Sequence, residues 1–255
     1  MTNQDTGTPS ARADAAEIEV ALKELADTNR AVQERRYLKS PCTHLGVRVP
    51  EVRMVVRNWL REVKSADRVP LTHDRLWALT DELWASPVYE MRRCAVELLT
   101  IQSVALQPAD LPRVRGMIAG TFTWALVDPL STDVASSIIE SMEPGSVDDV
   151  LDQWARDDSF WVRRAALLSQ LRMLRSGNGD PRRFFRYADA MLDESEFFIQ
   201  KAIGWVLRDM SKRRPDVVYQ WLHPRAERCS TVTLREAVKY LSASEQAAIR
   251  LAQTT

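Results

Sequence analysis

From Ala15 to Leu251 one helix-period apolar pattern follows another with only short breaks, and this succession constrains the fold more than any single residue. Apolar side chains spaced three and four apart share one face of a helix, whereas a strand needs strict alternation. Ile18, Val20, Leu22 and Leu25 mark a first helix, and Arg35 to Lys39 a short second one. Pro50 stands at a first helical position ahead of Val52, Val55, Val56 and Leu60. Leu76, Leu79 and Leu83 mark the next helix, which Ser86-Pro87 ends. Segments follow over Val88–Ile101, Leu111–Ile118 and Thr123–Met142, the last with Pro129 inside it. After the Pro144-Gly145 turn come three pairs: Val147–Trp154 with Ser159–Leu174, Pro181–Leu192 with Glu194–Lys212, and Pro215–Leu222 with Val232–Tyr240. Ala243–Leu251 is last. Glycine is scarce, with 8 in 255 residues, and no strand-and-hairpin pattern competes. Pairs of roughly 35 to 45 residues have the length of HEAT-type repeats, which bury their core between neighbours and present a long concave surface. The expected fold is therefore all-α, a superhelical stack of about six antiparallel helix pairs.

Charge and cysteine usage narrow the function classes. Lys+Arg and Asp+Glu each total 35, which argues against a generic basic nucleic-acid coat protein but leaves room for a basic stripe on one face. Cys42, Cys94 and Cys229 show no C-x-x-C spacing, and His44, His73 and His223 are scattered, so neither a metal site, a disulfide framework nor a cofactor is expected. Three isolated thiols fit a reducing cytoplasm. No apolar run reaches the ~18 residues of a membrane span. Residues 1–14, rich in Thr, Gly, Pro and Ser, read as a disordered tail without a secretion signal, ahead of one domain from Ala15 to Thr255.

Glu196 to Arg208 read EFFIQKAIGWVLR. Phe197, Phe198, Ala202, Ile203, Val206 and Leu207 give this helix a broad apolar stripe. Trp205 lies four residues after Lys201 and three before Arg208, so an aromatic and two cations share a face, as a surface that meets a polyanion requires. Cations recur on the second helix of successive pairs: Arg92 and Arg93, Arg163 and Arg164, Lys201 and Arg208, Arg235 and Lys239. Solvated helix faces carry such charges too. Trp124 and Asp128, four apart in TFTWALVDPLST, also share a face. Taken alone, that pair reads as a packed tryptophan and an aspartate capping a helix that starts at Pro129.

The thirteen-residue helix closely resembles the signature helix of the AlkD-type DNA alkylation repair glycosylases, a family of HEAT-like repeat enzymes that remove cationic alkylpurines from DNA. The resemblance extends in order along the chain. Trp124 and Asp128 match the family's aromatic-x-x-x-Asp, and SFWVRRAAL places Arg164 on its functional arginine. Trp205 matches the second functional tryptophan, and RRYLKSPCTHLGVRVPEVR puts Tyr37 on the aromatic lining the same cleft. LREAVKY resembles the terminal Arg-Glu-Ala helix. Ala125 and Pro129 depart from the pattern, since the family often has an acidic or aromatic residue after the first tryptophan.

The resemblance implies an α-solenoid with a basic concave cleft and hydrolysis of the N-glycosidic bond of N3- or N7-alkylated purines in duplex DNA. It implies a cytoplasmic, nucleoid-associated monomer that does not insert the lesion base into a deep pocket. Asp128, Trp124 and Trp205 would be catalytic; Arg164, Tyr37, Lys201, Arg208, Arg92, Arg93 and Lys239 would contact DNA. The residue types suit that chemistry. A cationic purine is already a good leaving group, and positive charge builds on the sugar, where a carboxylate and aromatic faces stabilise it. A non-catalytic helical-repeat scaffold binding DNA or protein is the alternative, and a peptide-binding scaffold with an apolar groove a further one.

Overall fold

The computed structural model describes residues 8–65 and 70–253. Helices joined by turns and loops make up these residues, with no strand among them; Thr43 and Val88 form one isolated bridge. None of the described helices is long and apolar enough to cross a membrane. The chain divides into two compact units, one running through Gln107 and the other from Pro108.

The first unit holds α1 (Thr8–Glu24), α2 (Thr28–Leu38), α3 (Val49–Val63), α4 (His73–Ala85) and α5 (Tyr89–Ile101). α1 starts seven residues before the expected first helix. Ala11 is buried and Asp14 accepts from Arg75 Nη2 at 2.8 Å, so residues 8–14 are helical rather than a tail; residues 1–7 lie outside the described residues. α2 is also longer than the expected Arg35–Lys39, because Asp27 caps it at Arg30 N and Lys39 ends it in the left-handed conformation. Leu22, Val52, Val56, Leu79, Leu83 and Leu98 close the core among α1, α3, α4 and α5. A three-residue link forces α4 and α5 to pack antiparallel. The segment between α2 and α3 is clamped from below. Glu90 at the start of α5 accepts the backbone N–H of Leu45, Gly46 and Val47 at 3.0, 2.7 and 3.3 Å. Gly46 has φ +80°, and a Cβ there would stand 2.1 Å from the Asp27 carbonyl oxygen, so the Leu-Gly-Val turn admits only glycine.

The second unit holds α6 (Leu111–Ala119), α7 (Trp124–Pro129), α8 (Ser136–Glu140), α9 (Pro144–Trp154), α10 (Phe160–Leu168), α11 (Leu171–Ser176), α12 (Pro181–Met191), α13 (Phe197–Ser211), α14 (Pro215–Leu222), α15 (Thr231–Ala237) and α16 (Ala243–Gln253). The long helix expected over Thr123–Met142 is interrupted by a π-helical stretch, Leu130–Ala135, between α7 and α8. Pro129 is the physical cause: it has no N–H for the Ala125 carbonyl, and its ring crowds that oxygen. The helix expected over Ser159–Leu174 likewise breaks after Leu168 into α10 and α11.

The repeat that is faint in the residues is plain in the polar contacts. Asp148–Arg183 and Asp193–Arg228 are paired at a separation of 35, as are Asp152 and Tyr187, while Asp189–Arg225 spans 36. Each links one helix pair to the next at the same register, which fits the helix-pair period read from the sequence.

Candidate functional site

Asp128 belongs to the last turn of α7, which Thr123, not Asp128, caps: its Oγ1 accepts from Ala125 N at 3.3 Å. Leu126 and Val127 turn into the core, which leaves Trp124 and Asp128 together on the half-buried face. The helix runs through Pro129 by widening into the π turn, so Asp128 sits just before a local change of pitch.

Arg164 of α10 meets it. Its Nε donates to Asp128 Oδ1 at 2.9 Å and its Nη2 to Oδ2 at 3.0 Å, a two-pronged fork. Nη1 donates to the Phe198 carbonyl at 2.5 Å, and the guanidinium lies 5.9 Å over the Phe198 ring. Arg164 thereby ties α7 to the start of α13. Its side chain is 3% exposed and that of Asp128 15%, so the arginine is sealed in while the carboxylate keeps an open edge. Neighbouring Arg163 points elsewhere, forking onto Glu194 at 3.0 and 2.7 Å. Burial is the largest influence on Asp128 and raises its pKa above the usual aspartate range; the charge and hydrogen bonds of Arg164 oppose that without cancelling it.

Aromatic rings crowd this end of α13. Phe160, Trp161 and Phe198 pack at 4.4 to 6.3 Å between centroids, and Phe197 stands edge-on to Phe198 with half its surface exposed. Two helical turns on from Phe198 lies the half-buried Trp205, whose indole Nε1 donates to Asp209 Oδ2 at 3.2 Å.

Around Trp205 the predicted cations converge on one carboxylate. Lys201 Nζ, Arg208 Nη1 and Lys239 Nζ all donate to the buried Glu236 of α15, at 2.9, 2.5 and 2.8 Å. Burial alone would raise the Glu236 pKa; the hydrogen bonds from Lys239 and Lys201 outweigh it and hold it at about 2. Asp209 gathers Arg175 and Lys212 in the same way and lies 3.6 Å from Arg208. Five cations thus surround two buried carboxylates. Their side chains stay between 27% and 51% exposed, so their outer N–H groups remain within reach of a phosphate.

The remaining predicted contacts lie in the first unit. Tyr37 is 72% exposed near the end of α2. Arg92 donates to the Ser86 carbonyl at 2.8 Å and lies over the Trp84 ring. Arg93 departs from the expectation of a DNA-facing cation: it is buried and bonded to Glu97 Oε1 at 2.6 Å, inside a cluster shared with Arg53. Its position on the inward face of α5 turned a surface-charge pattern into a core ion pair. Glu34, His44 and Glu90 bring potential metal-ligating atoms within 4.8 Å of one another. The two carboxylates are engaged structurally, Glu90 by three backbone N–H groups and Glu34 by His44 and Arg30.

Sequence reading missed Phe198, Glu236 and Asp209 as parts of this arrangement. The signal for Glu236 was present: it stands one helix-pair period, 35 residues, after Lys201.

The comparisons with known proteins bear on the family and the fold. The family model described as DNA alkylation repair enzyme matches residues 18–241, which includes every site residue above. Among solved structures, the chain is similar to a predicted DNA alkylation repair enzyme from Enterococcus faecalis, with 22% identity, 86% of this chain and 97% of that one covered, and a TM-score of 0.74. It is also similar to AlkD2 from Streptococcus mutans, with 20% identity, 77% and 91% coverage, and a TM-score of 0.57. No curated protein matches at a significant level. At these identities the solved structures establish the fold, and the family match establishes kinship: the chain belongs to the DNA alkylation repair enzyme family.

Proposed function

We propose that the protein is a DNA glycosylase that hydrolyses the N-glycosidic bond of cationic N3- and N7-alkylated purines in duplex DNA. The observation that carries this reading is the Asp128–Arg164 fork, a carboxylate held rigidly by a sealed arginine yet open along one edge. In a structural ion pair both partners can be equally covered; here the carboxylate is 15% exposed and the arginine 3%. Scission of a cationic purine leaves positive charge on the sugar, and a fixed carboxylate meets that charge without reorganising. The same carboxylate orients the attacking water and takes its proton. Trp124 and Trp205 offer the negative faces of their rings to the sugar.

Arg164 takes a different role from the phosphate contact expected of it. Its guanidinium is spent on Asp128 and the Phe198 carbonyl, so it aims the carboxylate. Phosphates fall instead to Lys201, Arg208 and Lys239, whose side chains are partly open around Glu236. One carboxylate suffices only when the leaving base brings its own charge, so uracil and other neutral damaged bases are poor substrates.

The deciding experiment is release of 7-methylguanine from duplex DNA by the wild type and by Asp128→Asn. Loss of release in the variant with duplex affinity retained supports the reading. A wild type that binds duplex and releases no cationic alkylpurine is a non-catalytic DNA-binding scaffold instead.

A further inference from the structure

Asp209 is the most heavily engaged carboxylate near the proposed site, and the reaction scheme above gives it no task. It is 2% exposed, one helical turn after Trp205 on the same face of α13. Its Oδ2 accepts the indole N–H of Trp205 at 3.2 Å and the Arg175 Nε at 3.0 Å; its Oδ1 accepts from Lys212 Nζ at 2.8 Å. Arg175 and Lys212 are each about half exposed, so the buried end of the cluster is an anion and an indole, and its outer end is a pair of cations. A tryptophan on a helix has two side-chain torsions, and packing alone leaves a half-buried ring free to tilt. A charged acceptor on the indole nitrogen removes that freedom.

We infer that Asp209 is a positioning residue that sets the plane of Trp205 toward the damaged nucleotide and links that setting to the half-exposed cations Arg175 and Lys212. This inference rests on the glycosylase reading. The bond itself rests on geometry alone, so the two can fail separately. An electrostatic role in binding would make removal of the anion raise the affinity for DNA and leave turnover alone. A positioning role makes turnover fall while affinity holds or rises.

The test compares Asp209→Ala, Asp209→Asn, Trp205→Phe and the double variant Asp209→Ala/Trp205→Phe, with thermal melts on each. Single-turnover release of 7-methylguanine is followed at saturating protein, together with the affinity for undamaged duplex. The resonance of the Trp205 indole N–H is followed by NMR before and after duplex is added. We expect Asp209→Ala to lower the single-turnover rate by about tenfold or more with duplex affinity unchanged or tighter. Asp209→Asn keeps a carbonyl acceptor for the indole and should recover most of that rate. Because phenylalanine has no N–H to hold, Asp209→Ala should cost little further in the Trp205→Phe background. An undiminished loss in that background, or a wild-type rate in a folded Asp209→Ala, overturns the inference. If Asp209→Ala does not fold, Asp209→Asn and Asp209→Ser decide it by whether rate tracks the indole resonance. If the wild type releases no base, the resonance decides: a duplex-induced shift lost in Asp209→Ala upholds the positioning, and a shift unaffected by the substitution ends it.

Discussion

At the scale of single residues the chemistry turns on how Asp128 differs from the other acids. Asp148, Asp193 and Asp209 have their pKa values lowered by their arginine and lysine partners, while that of Asp128, facing an equally good fork, is raised because burial outweighs the pairing. A reaction that needs the carboxylate form therefore slows as pH falls through a value above the ordinary ~3.9 of an aspartate. We expect the pH profile of the single-turnover rate to show that acid limb, and Asp128→Asn to lose it. A wild-type limb at or below the ordinary aspartate value would remove Asp128 from control of the rate. The same substitution should slow 7-methylguanine release by at least ~10-fold, or ~1.4 kcal/mol of transition-state stabilisation. Its melting temperature should be measured alongside, because breaking a buried pair costs about 3–5 kcal/mol when no acceptor is left, and asparagine keeps one.

At the scale of elements, the join between α13 and α15 decides where the cations stand. Gly204 makes it possible. A Cβ on Gly204 would stand 2.8 Å from the Thr233 carbonyl oxygen and 2.9 Å from Glu236 Cβ, so the two helices approach at a distance that a side chain forbids. Thr233 adds a cross-brace, its Oγ1 donating to the Gln200 carbonyl at 3.0 Å. In an isolated helix alanine is better than glycine by about 1 kcal/mol. Here Gly204→Ala should destabilise the protein instead, because overpacking costs typically ~1–3 kcal/mol and the clashing atom is backbone. Urea denaturation reads the sign directly; a variant more stable than the wild type would mean the helices are not held this close. The contacts between successive helix pairs at separations of 35 and 36 act at the same scale. Three of the four are part-buried and the Asp193–Arg228 pair is exposed, and together they lock the register of one pair on the next.

At the scale of the whole molecule, zero net charge accompanies a local cluster of five cations around Glu236 and Asp209. Binding to undamaged duplex should weaken steeply with salt. Replacing Lys201, Arg208 or Lys239 by Ala should each lower the slope of log affinity against log salt by about 1. A slope insensitive to all three would place the DNA elsewhere. Glu236 couples this face to stability. Its folded value of about 2 lies below the ordinary 4.5, so its stabilising contribution is fully present above pH 4.5 and is lost as pH falls toward 2. Allowing for solvent screening of its half-exposed partners, that contribution is on the order of 2–3 kcal/mol. Melting temperatures followed from pH 6 to pH 3 should therefore fall less in Glu236→Gln than in the wild type.

The sequence by itself determined the helices, their pairing and the kinship, because those depend on local information. A helix announces itself through the three-and-four spacing of its apolar residues, and a signature such as EFFIQKAIGWVLR is contiguous. Boundaries were legible where a side chain caps the end, as Asp180 does for α12, and less so where they depend on contacts elsewhere. Residues 8–14 looked like a tail because the partner that orders Asp14 is Arg75, 61 positions away. Tertiary structure alone decided which charges face outward. Arg93 and Arg164 read on the page like Lys201 and Arg208, yet the first two are buried against Glu97 and Asp128 and the last two remain half open around Glu236. A charge pattern gives the face of a helix on which a residue lies. Whether that face meets water or another helix depends on packing between segments tens of residues apart, and the balance between desolvation and pairing is settled only there.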